Sequence, residues 1–168
     1  KLTSTPKIWS CGCSTGDEPY TLVMVLSKFV PLSRIKIIAT DIDSAALKKA
    51  KEGVYSKRSV EKLPVGMLEK YFKYSGSRFE IIDSVKKCVE FKKLNILSDN
   101  YPKGCDIIVC RNVLIYFTTH AKETVYKNLS KSLNESGILF VGSTEQIISA
   151  TRYNLDSVKT FFYVKTGC

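Results

Sequence analysis

Four short apolar runs, rich in β-branched residues, recur along the chain, and each ends in turn or polar residues. They span residues 7–11, 34–40, 105–110 and 137–142. Continuous apolar runs of this length are typical of strands that are buried on both faces. Helical patterns lie between them, and strand and helix in alternation predict right-handed crossovers and a mostly parallel sheet. The expected fold class is a doubly wound α/β domain.

Three segments carry the helical signals. Two have apolar side chains at helix spacing, and the third begins at a capping serine and is closed by a glycine. The residues that carry these signals are Leu22, Leu26, Phe29 and Val30; Val125, Leu129 and Leu133; and Ser44 to Lys51 followed by Gly53.

The last part of the chain, residues 153–165, holds two extended runs with a turn near Asp156 and Ser157. This pattern predicts a hairpin that adds an antiparallel strand to one edge of the sheet. An antiparallel ending favours the methyltransferase variant of the fold over the all-parallel dinucleotide-binding variant.

Residues 57–91 interrupt the alternation and are expected to form an inserted subdomain. Pro64 leads a helical piece over residues 65–72, and residues 78–83 and 88–91 alternate like a small antiparallel hairpin. Residues 48–93 contain 13 basic and 6 acidic side chains, so 13 − 6 = +7 of the net charge of +10 lies there. A local basic face suggests an acidic partner, and a solvated lysine-rich surface is the alternative.

Length and composition indicate one globular domain, residues 1–168, with 44% apolar and 25% charged residues. The longest apolar stretch, residues 21–32, is broken by Lys28 and Pro31, so we expect no membrane insertion. The chain starts without a methionine or an apolar signal core. We therefore expect a cytoplasmic protein, and a fragment of a longer one.

Six cysteines could suggest disulfides or a zinc site: Cys11, Cys13, Cys88, Cys105, Cys110 and Cys168. Most lie in apolar, strand-like runs, which favours buried reduced thiols and a reducing compartment. Cys11 and Cys13 have no second ligand pair at zinc-finger spacing, and His120 is the single histidine. We expect no metal.

The first predicted strand leads through Gly12 and Gly16 into a helix. Small residues at such a turn let backbone N–H groups approach a ligand closely. The spacing of the two glycines is neither that of a phosphate-binding loop nor that of a dinucleotide fingerprint. Asp17 and Glu18 open the helix where a phosphate would otherwise bind, so a neutral or cationic ligand is favoured. Complementing the helix dipole is the alternative role for these two acids.

Other polar residues follow the later strands of the predicted sheet. Asp41, at the end of the second strand, is suited to bind both hydroxyls of a ribose, and it is favoured over Asp43, for which a place at the start of a helix is the alternative. Asn95, Arg111 and Asn112 should converge at the same sheet edge, because ligands of open α/β sheets bind outside the carboxyl ends of the strands. Alternatively, the asparagines cap turns, and Tyr116 packs with Phe117.

Together these motifs resemble the chemotaxis receptor methyltransferases of the CheR type, over nearly the whole chain. The matching segments are residues 11–20 (CGCSTGDEPY), 39–43 (ATDID), 71–72 (YF), 94–97 (LNIL) and 110–117 (CRNVLIYF). The resemblance implies a Rossmann-like methyltransferase fold that uses S-adenosylmethionine (SAM) and releases S-adenosylhomocysteine. It also implies methyl transfer to glutamate side chains of chemoreceptor cytoplasmic domains, by a monomer that binds no nucleic acid.

The resemblance also assigns residues to roles. Glu18 and Asp41 would hold the cofactor, with Asp41 on the ribose hydroxyls. Asn95, Ile96, Arg111 and Asn112 would line the rest of its pocket, and Tyr116 would stand beside the transferring methyl group. The segment 78–91 resembles a subdomain that, in some family members, docks the carboxyl-terminal peptide of a receptor.

Two features differ from the family pattern. The family's helical amino-terminal domain, which adds cofactor contacts and a catalytic arginine, is absent from these 168 residues, so we expect weak activity or none from the chain by itself. Gly142-Ser143-Thr144-Glu145 stands where the family usually has a Gly-His-Ser-Glu type of sequence.

Two other function classes stay open at this point. One is a SAM-dependent methyltransferase that acts on RNA or a small molecule. The net charge would suit RNA, but the basic residues are mostly lysines without interleaved aromatic residues. The other is a binding module that has kept the cofactor or peptide surface and lost catalysis.

Overall fold

The computed structural model describes residues 5–167. Within these residues the chain forms ten strands: β1 (Lys7–Cys11), β2 (Lys36–Asp41), β3 (Val54–Ser56), β4 (Phe72–Ser75), β5 (Arg78–Ile81), β6 (Val89–Lys93), β7 (Cys105–Cys110), β8 (Leu133–Val141), β9 (Leu155–Lys159) and β10 (Phe162–Lys165). The same residues form six α helices: α1 (Asp17–Leu26), α2 (Ser44–Glu52), α3 (Lys57–Val60), α4 (Met67–Tyr71), α5 (Asp83–Lys86) and α6 (Thr119–Ser132).

Seven strands form a mostly parallel sheet in the order β6-β2-β1-β7-β8-β10-β9. The pairs β2 with β6, β1 with β7, and β7 with β8 are parallel, whereas β10 is antiparallel to both β8 and β9. Parallel neighbours need long crossover connections, and helices provide several of them here. The predicted α/β class with an antiparallel edge is confirmed.

The chain divides into two compact units. The first unit contains the described parts of Lys1–Gly12 and Leu94–Cys168, and the second unit is Cys13–Lys93. In the first unit the largest buried side chains include Trp9 and Leu139, on β1 and β8. Full burial of a leucine side chain such as that of Leu139 contributes about 1.5–3 kcal/mol to folding.

One core cluster of the second unit lies at β2. Cys13, Ala39 and Leu47 are buried together, and Val89 and Phe91 pack against them. Helix α2 contributes Leu47 to this cluster, and neighbouring residues define both ends of the helix. Asp43 accepts hydrogen bonds from the N–H groups of Ala45 and Ala46, and Gly53 ends the helix with a φ of 63°. Asp43 is therefore the N-cap residue, one position before the serine predicted from the sequence.

The first helix is shorter than its apolar spacing predicts. Helix α1 ends at Leu26, and Phe29, which was expected to continue it, is 75% exposed. Val30 precedes Pro31, and a residue before proline disfavours the helical conformation. The chain therefore leaves the helix in a turn in which the Val30 N–H donates to the carbonyl of Leu26, at 3.0 Å.

The inserted subdomain is a three-stranded antiparallel sheet in the order β3-β5-β4. The predicted hairpin between residues 78–83 and 88–91 is wrong, because β5 pairs with β3 and β4, whereas β6 pairs in parallel with β2. Residues 88–91 alternate because one face of β6 packs on the core of the second unit, as Phe91 does. The hairpin of the subdomain joins β4 to β5, through a turn that contains Gly76 with a φ of 60°.

The predicted hairpin at the end of the chain is present, but its turn lies further on. Strand β9 continues through Asp156 and Ser157, and the chain reverses at residues 160–161, where Phe161 has a φ of 67°. Tyr153, predicted to start the first extended run, ends the 3₁₀ helix Ala150–Tyr153 instead. In the part of the chain that the structure describes, no helix is long and apolar enough to cross a membrane.

The predicted buried, reduced thiols are confirmed for five of the six cysteines. Cys11, Cys13, Cys88, Cys105 and Cys110 are buried and form no disulfide, and Cys168 lies outside the described residues. Burial is the main cause that raises the pKa of Cys105 to about 11 and also raises the pKa of Cys88. Both thiols therefore stay protonated and unreactive near neutral pH.

We expect these five cysteines to resist a water-soluble disulfide reagent in the native protein. The measurement uses a Cys168→Ser variant, so that every thiol counted belongs to the described part of the chain. The thiols should react slowly in buffer and together, as five equivalents, in guanidinium chloride. Fast reaction of any one of them in buffer would contradict the buried positions.

Candidate functional site

The turn that leads into α1 is tight, and a glycine makes it possible. The Gly16 N–H donates to the carbonyl of Cys13 at 2.9 Å, and Gly16 has a φ of 91°. A Cβ atom at Gly16 would lie 3.0 Å from the Cβ of Ala50 in α2. Any larger residue there would push the amino end of α1 away from α2, so the close approach depends on glycine.

Asp41 ends β2, and two backbone N–H groups hold its carboxylate. Ser14 donates to Oδ2 at 2.7 Å, and Asp43 donates to Oδ1 at 2.9 Å. Because Ser14 belongs to the glycine turn, the carboxylate ties the end of β2 to that turn. Each oxygen of an ionised carboxylate can accept two hydrogen bonds, so the group has acceptor capacity left for a ligand hydroxyl on each oxygen.

The two acids that open α1 have different environments. Both stand in its first turn, where a negative charge complements the helix dipole. The carboxylate of Asp17 accepts a hydrogen bond from the Thr15 hydroxyl at 2.6 Å, so it has a local role in the turn. Glu18 is half-buried.

A tyrosine from the small sheet also holds this turn, and no motif in the sequence indicates it. The hydroxyl of Tyr55, on β3, donates to the carbonyl of Thr15 at 2.8 Å. Its ring contacts those of Tyr20 and Phe72 edge to face, with 6.4 Å between centroids in each pair. Burial is the main cause that raises the pKa of Tyr55, so the hydroxyl stays a donor well above neutral pH.

Tyr55→Phe is expected to lower the free energy of unfolding by about 1 kcal/mol, because the half-buried Thr15 carbonyl loses its donor. Urea denaturation measures the change. Tyr74→Phe is the matched control, since Tyr74 is 71% exposed on the same small sheet, and its effect should stay within about 0.5 kcal/mol. Equal effects of the two substitutions would count against a role for the Tyr55 hydroxyl.

In the first unit, Asn95 and Ile96 lie in a turn that follows β6. The side-chain Oδ1 of Asn95 accepts from the Leu97 N–H at 3.0 Å, which is the turn-capping role given above as the alternative for asparagines. Ile96 is buried, and its carbonyl accepts a hydrogen bond from the Tyr101 hydroxyl. The turn is thus fixed by its own side chains.

The segment after β7 carries three of the predicted site residues. The guanidinium of Arg111 lies over the ring of Phe140, 5.3 Å from its centroid, a distance typical of a cation–π contact. Asn112 has a left-handed backbone, with a φ of 59°. Tyr116 is 95% exposed, so it does not pack with Phe117 as the alternative interpretation required. We call residues 111–117 the RN loop.

A buried glutamate, the last residue of the atypical motif 142–145, holds the RN loop. Glu145 is 2% exposed, and its carboxylate accepts hydrogen bonds from backbone N–H groups of the loop. Nothing in the local sequence signals this role, because the donors are main-chain groups 31 to 33 residues away.

The second unit thus brings Asp41 and the glycine turn together, with Glu18 on the adjoining helix. The first unit brings Arg111, Asn112 and Tyr116 together on the RN loop and places Asn95 and Ile96 on a separate turn. Among residues 5–167, no group of three or more His, Cys, Asp or Glu side chains is arranged to hold a metal ion.

Comparison with known proteins identifies related sequences. The profile of the family described as "CheR methyltransferase, SAM binding domain" matches residues 1–162. A "Chemotaxis protein methyltransferase" of Listeria monocytogenes is 40% identical over 160 residues, which cover 95% of this chain and 61% of the relative. One of Salmonella typhimurium is 32% identical over 154 residues, which cover 87% of this chain and 54% of the relative. The chain therefore spans less than two thirds of these relatives.

Solved structures resemble the fold at low sequence identity. A TehB-like SAM-dependent methyltransferase from Corynebacterium glutamicum superposes with a TM-score of 0.56 at 14% identity, over 97% of this chain and 79% of that one. PKMT2 from Rickettsia typhi, in complex with AdoHcy, gives a TM-score of 0.52 at 22% identity, over 84% of this chain and 21% of that one. At these identities the likeness concerns the fold.

Proposed function

Because the chain belongs to the CheR methyltransferase family and matches its SAM-binding domain, we propose that it transfers a methyl group from SAM to glutamate side chains of chemoreceptor cytoplasmic domains. The observation that carries the proposal is the family match over residues 1–162. Relatives 30–40% identical to the chain bear the name chemotaxis protein methyltransferase, which supports a chemoreceptor substrate. The proposed location is the cytoplasm, where such domains lie.

Asp41 is the proposed ligand of the ribose. Its two oxygens each accept one backbone hydrogen bond, from Ser14 and from Asp43. The carboxylate is thereby oriented before a ligand arrives, and its remaining acceptor positions suit two adjacent hydroxyl donors. Glu18 is proposed to bind the cofactor from the first turn of α1. These two carboxylates, as acceptors with negative charge, fit a nucleoside with a cationic substituent better than a phosphate.

The remaining cofactor contacts are proposed for Asn95, Ile96, Arg111 and Asn112. Ile96 offers an apolar side chain, which suits the edge or face of an aromatic base. Asn112 offers a side-chain amide on a backbone held by Glu145. Arg111 carries a planar guanidinium, which suits a polar or aromatic group of the ligand, and it lies over the Phe140 ring.

The proposed reaction needs orientation more than proton transfer. When bound, SAM supplies a methyl group activated by its sulfonium charge. A glutamate with a pKa of about 4.3 is already ionised near neutral pH, so the substrate needs no general base. Holding the reacting atoms near contact distance can lower the barrier by roughly 7–11 kcal/mol. Tyr116 is proposed to orient the incoming carboxylate through its hydroxyl, as an exposed side chain can.

The small sheet is the proposed docking surface for a carboxyl-terminal receptor peptide. The hairpin that presents it is β4 with β5, in place of the 78–91 segment expected from the sequence. Strand β4 is an edge of this sheet, and Lys73 and Tyr74 on it are exposed. An extended peptide can add to such an edge through backbone hydrogen bonds, and the positive charge of residues 48–93 suits a carboxylate.

The test has two stages. Calorimetric titration with S-adenosylhomocysteine first asks whether the chain binds the cofactor product. Transfer of a labelled methyl group to a chemoreceptor cytoplasmic fragment is then compared with transfer to total RNA. A base-labile label on the receptor fragment is expected, since a glutamyl methyl ester hydrolyses in alkali. Label on RNA, with none on the receptor, would support the nucleic acid alternative. Binding without any turnover would support the binding module only if turnover is also missing when the chain is joined to the helical amino-terminal domain of a relative.

A further inference from the structure

The buried carboxylate of Glu145 is not part of the proposed reaction, yet it makes an unusual set of contacts. It accepts from the N–H groups of Asn112 at 2.6 Å, Val113 at 2.7 Å and Leu114 at 2.6 Å. A fourth donor is the Gly142 N–H at 3.2 Å. Four backbone donors compensate for the burial of a charge that would otherwise be costly.

Three consecutive amides that point to one anion form a concave nest, the arrangement that often binds phosphate. Here the anion belongs to the protein. The left-handed backbone of Asn112, with a φ of 59°, turns its N–H toward the same point as those of Val113 and Leu114. The carboxylate therefore sets the path of the RN loop between Arg111 and Tyr116.

Two glycines let the loop and the carboxylate come this close. A Cβ atom at Gly142 would lie 2.5 Å from Oε2 of Glu145 and 3.2 Å from the Asn112 nitrogen. A Cβ atom at Gly12 would lie 2.3 Å from Cγ2 of Val113. All three distances are shorter than ordinary van der Waals contact, so the RN loop is packed against the end of β1 and the 142–145 turn with no space for larger residues.

We propose that Glu145 is a positioning residue, which fixes the RN loop through the amides of residues 112–114 and so prepares Arg111, Asn112 and Tyr116 for cofactor and substrate. This inference rests on the proposed function, because it concerns the same site. It adds to the proposed function the interaction that holds the RN loop in its conformation, namely the hydrogen bonds to Glu145. The contribution of Glu145 comes through the backbone, without a contact to the reacting atoms.

The first test is Glu145→Gln, which keeps the shape of the side chain but replaces one oxygen by an amide group that cannot accept a hydrogen bond. We expect the dissociation constant for S-adenosylhomocysteine to rise about tenfold, in protein shown to be folded by circular dichroism. Glu123→Gln is the matched control, because its carboxylate belongs to the same unit and faces Arg152 at 3.8 Å. The control should bind as the wild type does.

A second test uses chemical rescue. Glu145 lines a cavity of about 480 Å³, so a small carboxylate can reach the nest when the side chain is shortened. Glu145→Ala should lose affinity for S-adenosylhomocysteine and regain part of it in sodium acetate, but not in sodium chloride of equal ionic strength. A purely structural loss of side-chain packing would not depend on which of the two salts is present.

Hydrogen exchange on the free wild-type protein makes the inference testable even if both variants unfold. The amides of residues 112–114 should exchange as slowly as those of β7 before any ligand is added. Fast exchange of these amides in the free protein would overturn the proposal, as would folded Glu145→Gln that binds as tightly as the wild type. A wild-type protein that does not bind S-adenosylhomocysteine would instead count against the proposed function, with exchange still deciding the role of Glu145.

Discussion

Replacing Asp41 with alanine is expected to weaken the binding of S-adenosylhomocysteine by about 100-fold or more. The substitution removes the two hydrogen bonds that the ribose hydroxyls are proposed to donate to the carboxylate. Each hydrogen bond to a charged acceptor contributes about 1.5–3 kcal/mol, and 1.4 kcal/mol corresponds to a factor of ten in affinity. The substitution also releases the Ser14 and Asp43 N–H groups that the carboxylate holds. Calorimetric titration measures the loss directly.

Two further variants separate ligand binding from loop structure. Asp41→Asn keeps one oxygen acceptor and the side-chain shape, so its affinity should lie between those of the wild type and the alanine variant. Asp43→Ala removes the N-cap of α2 and should cost about 1 kcal/mol of stability with little change in affinity. If Asp43→Ala lost affinity as strongly as Asp41→Ala, the ribose role of Asp41 would be wrong.

Tyr116→Phe is expected to reduce the rate constant of methyl transfer, kcat, by about ten- to 100-fold and to leave cofactor affinity unchanged. A hydrogen bond to a charged group contributes about 1.5–3 kcal/mol, and the proposed partner is the carboxylate of the substrate. Tyr116 is 95% exposed in the protein without substrate, so removing its hydroxyl breaks no buried contact. The measurement is a methyl-transfer time course at saturating cofactor.

Two comparisons make the Tyr116 experiment decisive. Titration of the same variant with S-adenosylhomocysteine should match the wild type, which would separate an effect on the reaction from an effect on the cofactor site. Ile115→Val, a neighbour that is 43% exposed, should keep full activity, since it carries no polar group. Full activity of Tyr116→Phe would remove the orienting role.

Much of the architecture was predictable because it depends on local signals. The strands β1 and β7 begin and end where their apolar runs do. Helix α2 ends at Gly53, as predicted, and its N-cap is Asp43, the residue before the predicted serine. Each of these signals acts over a few residues through side-chain burial, a cap or a turn.

The prediction of strand pairing was wrong for one strand. Residues 88–91 have the alternation of a hairpin strand, but they join the main sheet in parallel with β2. The alternating pattern indicates that one face of a strand is buried, but it does not indicate which strand is its hydrogen-bonded neighbour. The predicted end of α1 was also wrong. Phe29 continues the helical spacing of apolar residues, but Pro31 disfavours a helical conformation at the residue before it, and the helix ends at Leu26.

In the candidate site, too, some features follow from local sequence and others depend on tertiary contacts. The sequence by itself determined the family motifs, the acid at the end of β2 and the glycines of the first turn, because each is a residue type at a fixed spacing. The tertiary structure decided what holds these residues, namely Tyr55 on the Thr15 carbonyl and Glu145 on the RN loop amides. The partners in those hydrogen bonds are backbone groups, a carbonyl that accepts from Tyr55 and N–H groups that donate to Glu145, and they lie 31 to 40 residues away in the chain. Such contacts leave no local pattern, so folding alone brings them together.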